Sequence, residues 1–412
     1  MSYQSATEEA VIESESLPRG ITRLWEVFWV ALRLGLTSFG GPIAHLGYFR
    51  DEYVVRREWL DEHTYADMVA LCQFLPGPAS SQVGIAIGMS RAGMLGGVAA
   101  WLGFTMPSAI ALIGFAYGIV GIGDVSGAGW LHGLKVVAVA VVAHAVWGMA
   151  RNLAPDRPRA TLAVLAAVTL IFWQTAVTQV AVILMGGLIG WRLLSSEAVV
   201  APPLRSPVPR WVGIVAIALF FGLLTGLPLL TEAIGGQSLR VFDSFYRSGS
   251  LVFGGGHVVL PLLQAEVVPP GWISNDQFIA GYGAAQAVPG PLFTFAGYLG
   301  SSIDVLHYRW LSGVFTLAAV FLPSFLLIAG AFPFWNALRS LAAFRRALLG
   351  INAVVVGILV AALYRPVWTT AIVEPADFAL GLAAFGLLAI WKVRPWLVVL
   401  LTALGGQAIV RL

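Results

Sequence analysis

The sequence predicts an all-α polytopic membrane protein whose two homologous halves form an inverted-topology repeat, with broken or re-entrant helices and a connecting transmembrane helix. Three observations predict it: an extreme apolar composition, a set of motifs that occurs twice, and an unmatched apolar run between the copies. The 412 residues are 58% hydrophobic and 11% charged, with a net charge of +3 and a mean hydropathy of +0.83. Soluble domains carry about 25% charged residues, so this chain cannot cover a water-facing surface. A soluble enzyme is excluded. The charges sit in short clusters between apolar runs of the length a bilayer demands. The single cysteine, Cys72, excludes a disulfide framework or a cysteine zinc cluster. The arginines fall at segment ends, so membrane orientation explains the basic balance and no nucleic-acid partner is expected.

In chain order, residues 1–20 read as a polar tail, because Glu8, Glu9, Glu13 and Glu15 stand where a cleavable signal would be basic and then apolar. Residues 21–194 read as the first repeat, 195–231 as a linker and connecting helix, and 232–412 as the second repeat. The repeat is carried by Arg33, Gly35, Phe39, Gly40 and Gly41, which recur at the same spacing as Arg247, Gly249, Phe253, Gly254 and Gly255. The register continues: Glu52 matches Glu266, Trp59 matches Trp272, Gln73 matches Gln286, and Pro76-Gly77-Pro78 matches Pro289-Gly290-Pro291. Further on, Pro107-Ser108 answers Pro323-Ser324, and Gly133-Leu134-Lys135 answers Gly350-Ile351-Asn352.

Between the repeats, residues 211–230 are long and apolar enough to cross once. One odd helix between even-crossing repeats turns the second repeat upside down, a design of many secondary transporters. Loop charges agree, since cytoplasmic loops carry the excess of arginine. Arg50, Arg56 and Arg57 follow the opening motif of the first half, whereas 264–276 holds no basic residue; 121–131 holds none, whereas its equivalent holds Arg339, Arg345 and Arg346. The expected crossings are 92–122, 131–150, 160–173 with 177–194, 211–230, 310–330, 348–363, 377–391 and 395–410. Keeping every basic loop on one side works best if 24–49 and 242–264 enter and return without crossing.

Two Gly/Pro breaks interrupt apolar sequence in each half: Phe39-Gly40-Gly41-Pro42 and Pro76-Gly77-Pro78, then Phe253-Gly254-Gly255-Gly256 and Pro289-Gly290-Pro291. Backbone groups freed inside hydrocarbon cost several kcal/mol each unless protein, water or ligand satisfies them. Pro42 suits the first turn of a half-helix, whose N–H groups and dipole attract an anion. Four such termini brought together would make an anion site near the midplane. The alternative is that the glycines permit close packing and the prolines only kink; recurrence of both breaks in matched positions favours a transport path.

Arg33 and Arg247 each precede a Gly-Gly break, and a dianion would offset the cost of placing a guanidinium in a membrane. One from each half could clamp a tetrahedral oxyanion; snorkelling to the interface is the other reading. Lys135, with Asn352 as its equivalent, either adds a third positive charge or reaches water from a helix end. Gln73 and Gln286 could donate to an oxyanion or cap the broken helices. His45 and His257 follow the Gly-Gly breaks and could titrate or serve as structural hydrogen-bonding residues. Glu52 and Glu266 are a duplicated carboxylate, a candidate proton carrier, although Glu52 lies among charges and reads more naturally as a solvated loop acid. None of the six histidines has metal-site spacing, and neither metal nor other cofactor is expected. Trp25, Trp29, Trp147, Trp173 and Trp191 read as interfacial anchors.

The Ser38-Phe39-Gly40-Gly41-Pro42 block, Phe253-Gly254-Gly255-Gly256-His257 and the paired Pro-Gly-Pro motifs resemble the chromate ion transporter family in its long two-domain form, across nearly the whole chain from Trp25 to Val410. The resemblance implies a multi-pass inner-membrane protein of bacteria or archaea that exports chromate, with energy from the proton-motive force. It implies importance for Arg33, Gly40, Gly41, Pro76, Gly77, Pro78 and the second-half motif positions. Gly256 in place of Pro42 and Asn352 in place of Lys135 make the two half-sites unequal. The expected partners are a chromate or sulfate-like dianion, protons as coupling ion and the lipid bilayer, in a monomer or homodimer. A sulfate or other tetrahedral-oxyanion carrier is the alternative. A membrane enzyme finds little support, since the sequence shows no dinucleotide fingerprint or metal motif.

Overall fold

A computed structural model describes residues 19–39, 41–122, 129–173, 175–195, 206–253, 258–338 and 340–409. The first half opens with α1 (Arg19–Thr37) and α2 (Gly41–Arg50), the two arms of a hairpin broken between Thr37 and Gly41. A π turn, Asp51–Arg56, leads to α3 (Glu62–Phe74), and the Pro-Gly-Pro break leads to α4 (Ala79–Ile122). This helix bends where Ala92 and Gly93 leave helical geometry, Gly93 at a φ of +68°. Residues 79–91 are therefore the return arm of a second hairpin, and only the part after the bend crosses. Next come α5 (Gly129–Leu153), α6 (Arg157–Phe172) and α7 (Ala176–Leu193), then the connecting helix α8 (Arg210–Ile234). The second half repeats the plan with α9 (Gln237–Ser250), α10 (Val259–Val267), α11 (Asn275–Ala285), and a 3-10 turn Leu292–Thr294 running into α12 (Phe295–Ile303). It closes with α13 (Arg309–Ala331), α14 (Ala342–Ala362), α15 (Pro375–Ala389) and α16 (Pro395–Ile409).

The helices start where the sequence supplies a cap. Asp61 accepts from the Thr64 N–H at 2.9 Å to open α3, and Asp156 accepts from the Arg159 N–H at 2.9 Å to open α6. These hydrogen bonds hold both carboxyls below the usual carboxylate range: the Thr64 hydroxyl and N–H at Asp61, the Arg159 side chain and N–H at Asp156. Ser274 and Gln277 form a capping box at α11. Among the described residues, five stretches are long and apolar enough to cross a bilayer: 79–119, Gly129–Leu153, Arg210–Ile234, 309–338 and 342–371. By contrast α6, α7, α15 and α16 run only 16, 18, 15 and 15 residues. At about 1.5 Å per residue these four fall short of a hydrocarbon core about 30 Å thick.

Contacts between helix ends show the inversion. At one rim Glu26 of α1 pairs with Arg57 at 3.5 Å and Arg91 at 3.1 Å, Arg50 pairs with Glu62 at 2.7 Å, and Trp335 donates to Asp67 at 3.0 Å. At the opposite rim the start of α5 meets the second half: Lys135 pairs with Asp276 at 3.3 Å, and His132 lies 2.6 Å from Asp377. The Trp310 N–H donates there to the Tyr117 hydroxyl at 3.1 Å. Thus α1 and α3 enter from the first rim, whereas their repeat equivalents α9 and α11 enter from the second. Segment 24–49 folds back on itself, with Arg57 beyond α2 returning to Glu26 of α1, while residues 254–257 within 242–264 lie outside the described residues.

The halves also clasp each other. First-half α5 packs on second-half α15 and α16, while second-half α14 packs on first-half α6 and α7. Glycine makes the approach possible, because a Cβ at Gly133 would meet the Thr402 carbonyl oxygen and one at Gly350 would meet the Gly186 carbonyl oxygen. The buried core accordingly mixes both halves, with Val137 and Ala140 of α5 among Ile279 and Tyr282 of α11 and Val355 of α14.

Candidate functional site

The broken segments of opposite halves are tied to each other. Gly290 donates its N–H to the Ser38 carbonyl at 2.9 Å, and Gly77 donates its N–H to the Val252 carbonyl at 2.6 Å. Val252 stands in the second half where Ser38 stands in the first, so each Pro-Gly-Pro turn holds the residue that precedes Phe-Gly-Gly in the other repeat. Both turn glycines have positive φ, +97° at Gly290 and +125° at Gly77, a region that disfavours any side chain. The swap extends to the next shell: a Cβ on Gly290 would lie 2.9 Å from Ser108 Oγ, and one on Gly77 would lie 2.9 Å from Ser324 Oγ.

A cavity of about 370 Å³ opens at the Ser38–Gly290 crossing. It is bounded by Ser38, Gly41 and Pro42, by Gln286, Gly290 and Leu292, by Val141 and His144 of α5, and by Leu388, Lys392 and Pro395 around the α15–α16 turn. Three helical segments begin on its wall, at Gly41, Leu292 and Pro395. Their N-terminal dipole ends favour negative charge. Ser38 is 0% exposed, yet its Oγ has no hydrogen-bond partner, and Gln286 Nε2 is likewise buried and unpartnered. Buried polar atoms of this kind call for a ligand or water. Lys392, held at a φ of +52°, adds a full positive charge. Among the described residues no aspartate or glutamate lines it. At about 30 Å³ per water the space holds a small anion with part of its hydration shell. A vestibule of about 450 Å³, bounded by Thr37, Phe39, Tyr48, Arg394 and Trp396, shares Lys392, Val393 and Pro395 with the cavity.

The structure keeps the two arginines of the expected clamp apart. Arg33 is exposed on α1, on the same face as the exposed Trp25, Trp29 and Leu36, the snorkelling alternative. Arg247 lines a different cavity, of about 340 Å³, with Glu266. Its Nη2 donates to Asp243 at 3.0 Å and to Glu266 at 2.9 Å, and Glu266 also accepts from Ser244 at 2.9 Å. The reason for the difference is local: Trp29 occupies the first-half position of Asp243, and Glu52 is engaged by Arg57 at 2.7 Å and Arg56 at 3.1 Å. Glu52 is thus a buried ion-paired carboxylate, not a solvated loop acid.

Of the paired glutamines, Gln286 reaches the cavity while Gln73 is exposed at the end of α3. Gln82, in its place, caps the first-half break by donating to the Pro76 carbonyl at 2.6 Å. Pro78 accepts from Gln82 N–H as α4 starts, and Pro291 caps the turn at Leu292. Lys135 is paired at the second rim and does not line the cavity, and Asn352 on α14 has a buried Oδ1 without a partner. His45 is buried 3.2 Å from Ser80 Oγ and packs edge-on against Phe104, the structural role. Gly40, Gly254, Gly255, Gly256 and His257 lie outside the described residues. Sequence reasoning missed Lys392, His144, Asp243 and the His132–Asp377 pair. Two signals were available: Lys392 is one of only two lysines and interrupts an apolar hairpin, and Asp243 lies one helical turn before Arg247.

A family model described as "Chromate transporter" matches residues 25–191 and 239–407. The chain is 29% identical to the chromate transport protein of Pseudomonas aeruginosa, over 97% of this chain and 94% of that protein. It is 25% identical to a probable chromate transport protein of Synechococcus elongatus, over 74% and 75% of the respective chains. It is also 25% identical to the chromate transport protein of Cupriavidus metallidurans, over 80% and 79%. No solved structure matches the chain.

Proposed function

Because the chain belongs to the chromate transporter family, we propose that it is a secondary active transporter that exports chromate across the inner membrane, driven by the proton-motive force and conferring chromate resistance. The observation that carries this reading is the cavity at the Ser38–Gly290 crossing. It joins helix N-termini, two unspent polar groups and Lys392 with no carboxylate among the described residues of its wall, which is what a tetrahedral dianion needs. The basic first rim supports a cytoplasmic mouth, since Arg50, Arg56, Arg57 and Arg91 lie there and the Lys392–Arg394 turn opens the vestibule. Export then runs from that mouth toward the rim now closed by Lys135–Asp276 and His132–Asp377. The electrical part of the driving force already favours departure of a dianion, by about 4.6 kcal/mol per 100 mV.

Everted vesicles carrying the protein should accumulate chromate when energised. Lys392→Ala should raise the chromate concentration for half-maximal transport about tenfold, the value of one charge-assisted hydrogen bond. Ser38→Ala and Gln286→Leu should each raise it several-fold. Unchanged concentration dependence in all three variants would reject the cavity as the substrate site.

The second cavity supports a proton route. Asp243 and Glu266 share the single guanidinium of Arg247, so with both carboxylates ionised the cluster carries one uncompensated negative charge, which one proton cancels. Glu266→Gln should abolish stimulation of chromate uptake by an imposed pH gradient while uptake driven by membrane potential persists. Full stimulation in this variant would remove Glu266 as proton carrier.

A further inference from the structure

We infer that the cavity selects oxyanions by their protonation state, taking those that carry no proton and rejecting those that keep an O–H, such as inorganic phosphate. This deepens the reading of the cavity as the substrate site and rests on it. A protonated oxyanion has an O–H that must find an acceptor once water is removed, because a buried unsatisfied donor is costly. A fully ionised one has only acceptors and needs only donors.

Among the described residues the wall offers charged and dipolar donors, while its side-chain acceptors, Ser38 Oγ, Gln286 Oε1 and the His144 ring, are neutral. The Gln286 Nε2 hydrogens are unspent, the Lys392 ammonium can only donate, and the first-turn N–H groups of α2 can only donate. The Ser38 hydroxyl, whose Oγ has no partner, can donate or accept, and as a neutral acceptor it holds an O–H less strongly than a carboxylate would. The Ser38 carbonyl is taken by Gly290 N–H. Among the described residues no carboxylate lines the space. Among the described residues the titratable groups lining it are Lys392 and His144, and of these two only His144 can offer a lone pair. Its side is open, since His144 is exposed and its ring lies edge-on to Phe385, so an acceptor there competes with water and discriminates weakly.

The discrimination has a consequence for chromate itself. Its last proton is gained near neutral pH, whereas sulfate stays fully ionised across the mild range. Acidification should therefore weaken chromate binding and leave sulfate binding intact.

The test uses the full chain in nanodiscs, with radiolabelled inorganic sulfate as the probe and chromate and phosphate as competitors, at mildly alkaline and mildly acid pH. Sulfate should bind, chromate should displace it at alkaline pH and less well at acid pH, and phosphate should require about a tenfold to hundredfold higher concentration. Gln286→Glu, which keeps the shape but adds an acceptor, should shrink that preference by about tenfold. Phosphate competing as well as chromate, with Ser38→Ala still weakening sulfate, would overturn the selection by protonation state and leave the cavity reading standing. Sulfate and chromate binding that is untouched by Ser38→Ala and Lys392→Ala would overturn both.

Discussion

Replacing Gly290 with alanine is expected to stop chromate transport, with at least a tenfold loss of initial rate in energised everted vesicles and a lower melting temperature. The backbone at φ +97° costs a non-glycine residue about 1–3 kcal/mol. The new Cβ would also lie 2.9 Å from Ser108 Oγ and 3.2 Å from the Phe104 carbonyl, so the turn must move and the hydrogen bond to Ser38 lengthens. That bond is worth about 1 kcal/mol, but it also fixes the N-terminal end of α2 against the cavity. Gly77→Ala should behave alike, at φ +125° and against Gln82 and Ser324. Gly271→Ala is the control: φ is +75°, but nothing lies within 4 Å of the added carbon, so it should pay only the backbone strain and keep transport. Near-normal transport by the Gly290 variant would show that the crossed breaks are not what shapes the path.

The second large effect is expected at Asp377. This carboxylate is 3% exposed, lies 2.6 Å from His132 Nε2, and accepts the Val373 and Glu374 N–H groups at 3.0 Å each. Asp377→Asn leaves one of those partners unsatisfied and removes the charge, a loss of about 1–3 kcal/mol. Because His132 belongs to the first half and Asp377 to the second, the loss falls on the contact that closes the second rim. The readout is labelling of Ser38→Cys, in a Cys72→Ser background, by a membrane-impermeant thiol reagent applied from the side of that rim. Labelling should rise several-fold with Asp377→Asn, and Lys135→Ala should add to it. Labelling that stays at background would mean that these pairs do not close the path.

Much of the fold was legible because it is written in short-range terms. Doubled motifs, apolar runs and the alternation of basic loops gave the repeat, the inversion and the opening hairpin of the first half, since each depends on residues close in sequence. The Ala92–Gly93 bend was legible as the start of a crossing. The site was less so. Nothing near Gly290 announces Ser38, more than half the chain away, and the exchange of breaks between halves is a property of the assembled pair. Treating the repeats as equal also led toward an arginine clamp, whereas Trp29 opposite Asp243 had already made Arg33 and Arg247 different residues physically. Lys392 was hidden by its place in a turn, where a cation ordinarily marks only orientation. Gln73 and Gln286 match in sequence but differ in outcome, because only the second lies beside the α5 and α15–α16 walls that enclose a space.

The mutual clasp of the halves bears on biogenesis. The glycine-lined face of α5 waits for α16, which emerges from the ribosome about 270 residues later, an interval of roughly 13–54 s at ordinary elongation rates. During that time the nascent first half sits in the lipid with its narrow, small-residue groove unfilled, open to mispairing with other helices or to capture by an insertion chaperone. A synonymous-codon slowdown placed between Gly133 and Thr402 would lengthen that vulnerable period without altering a single side chain of the mature transporter.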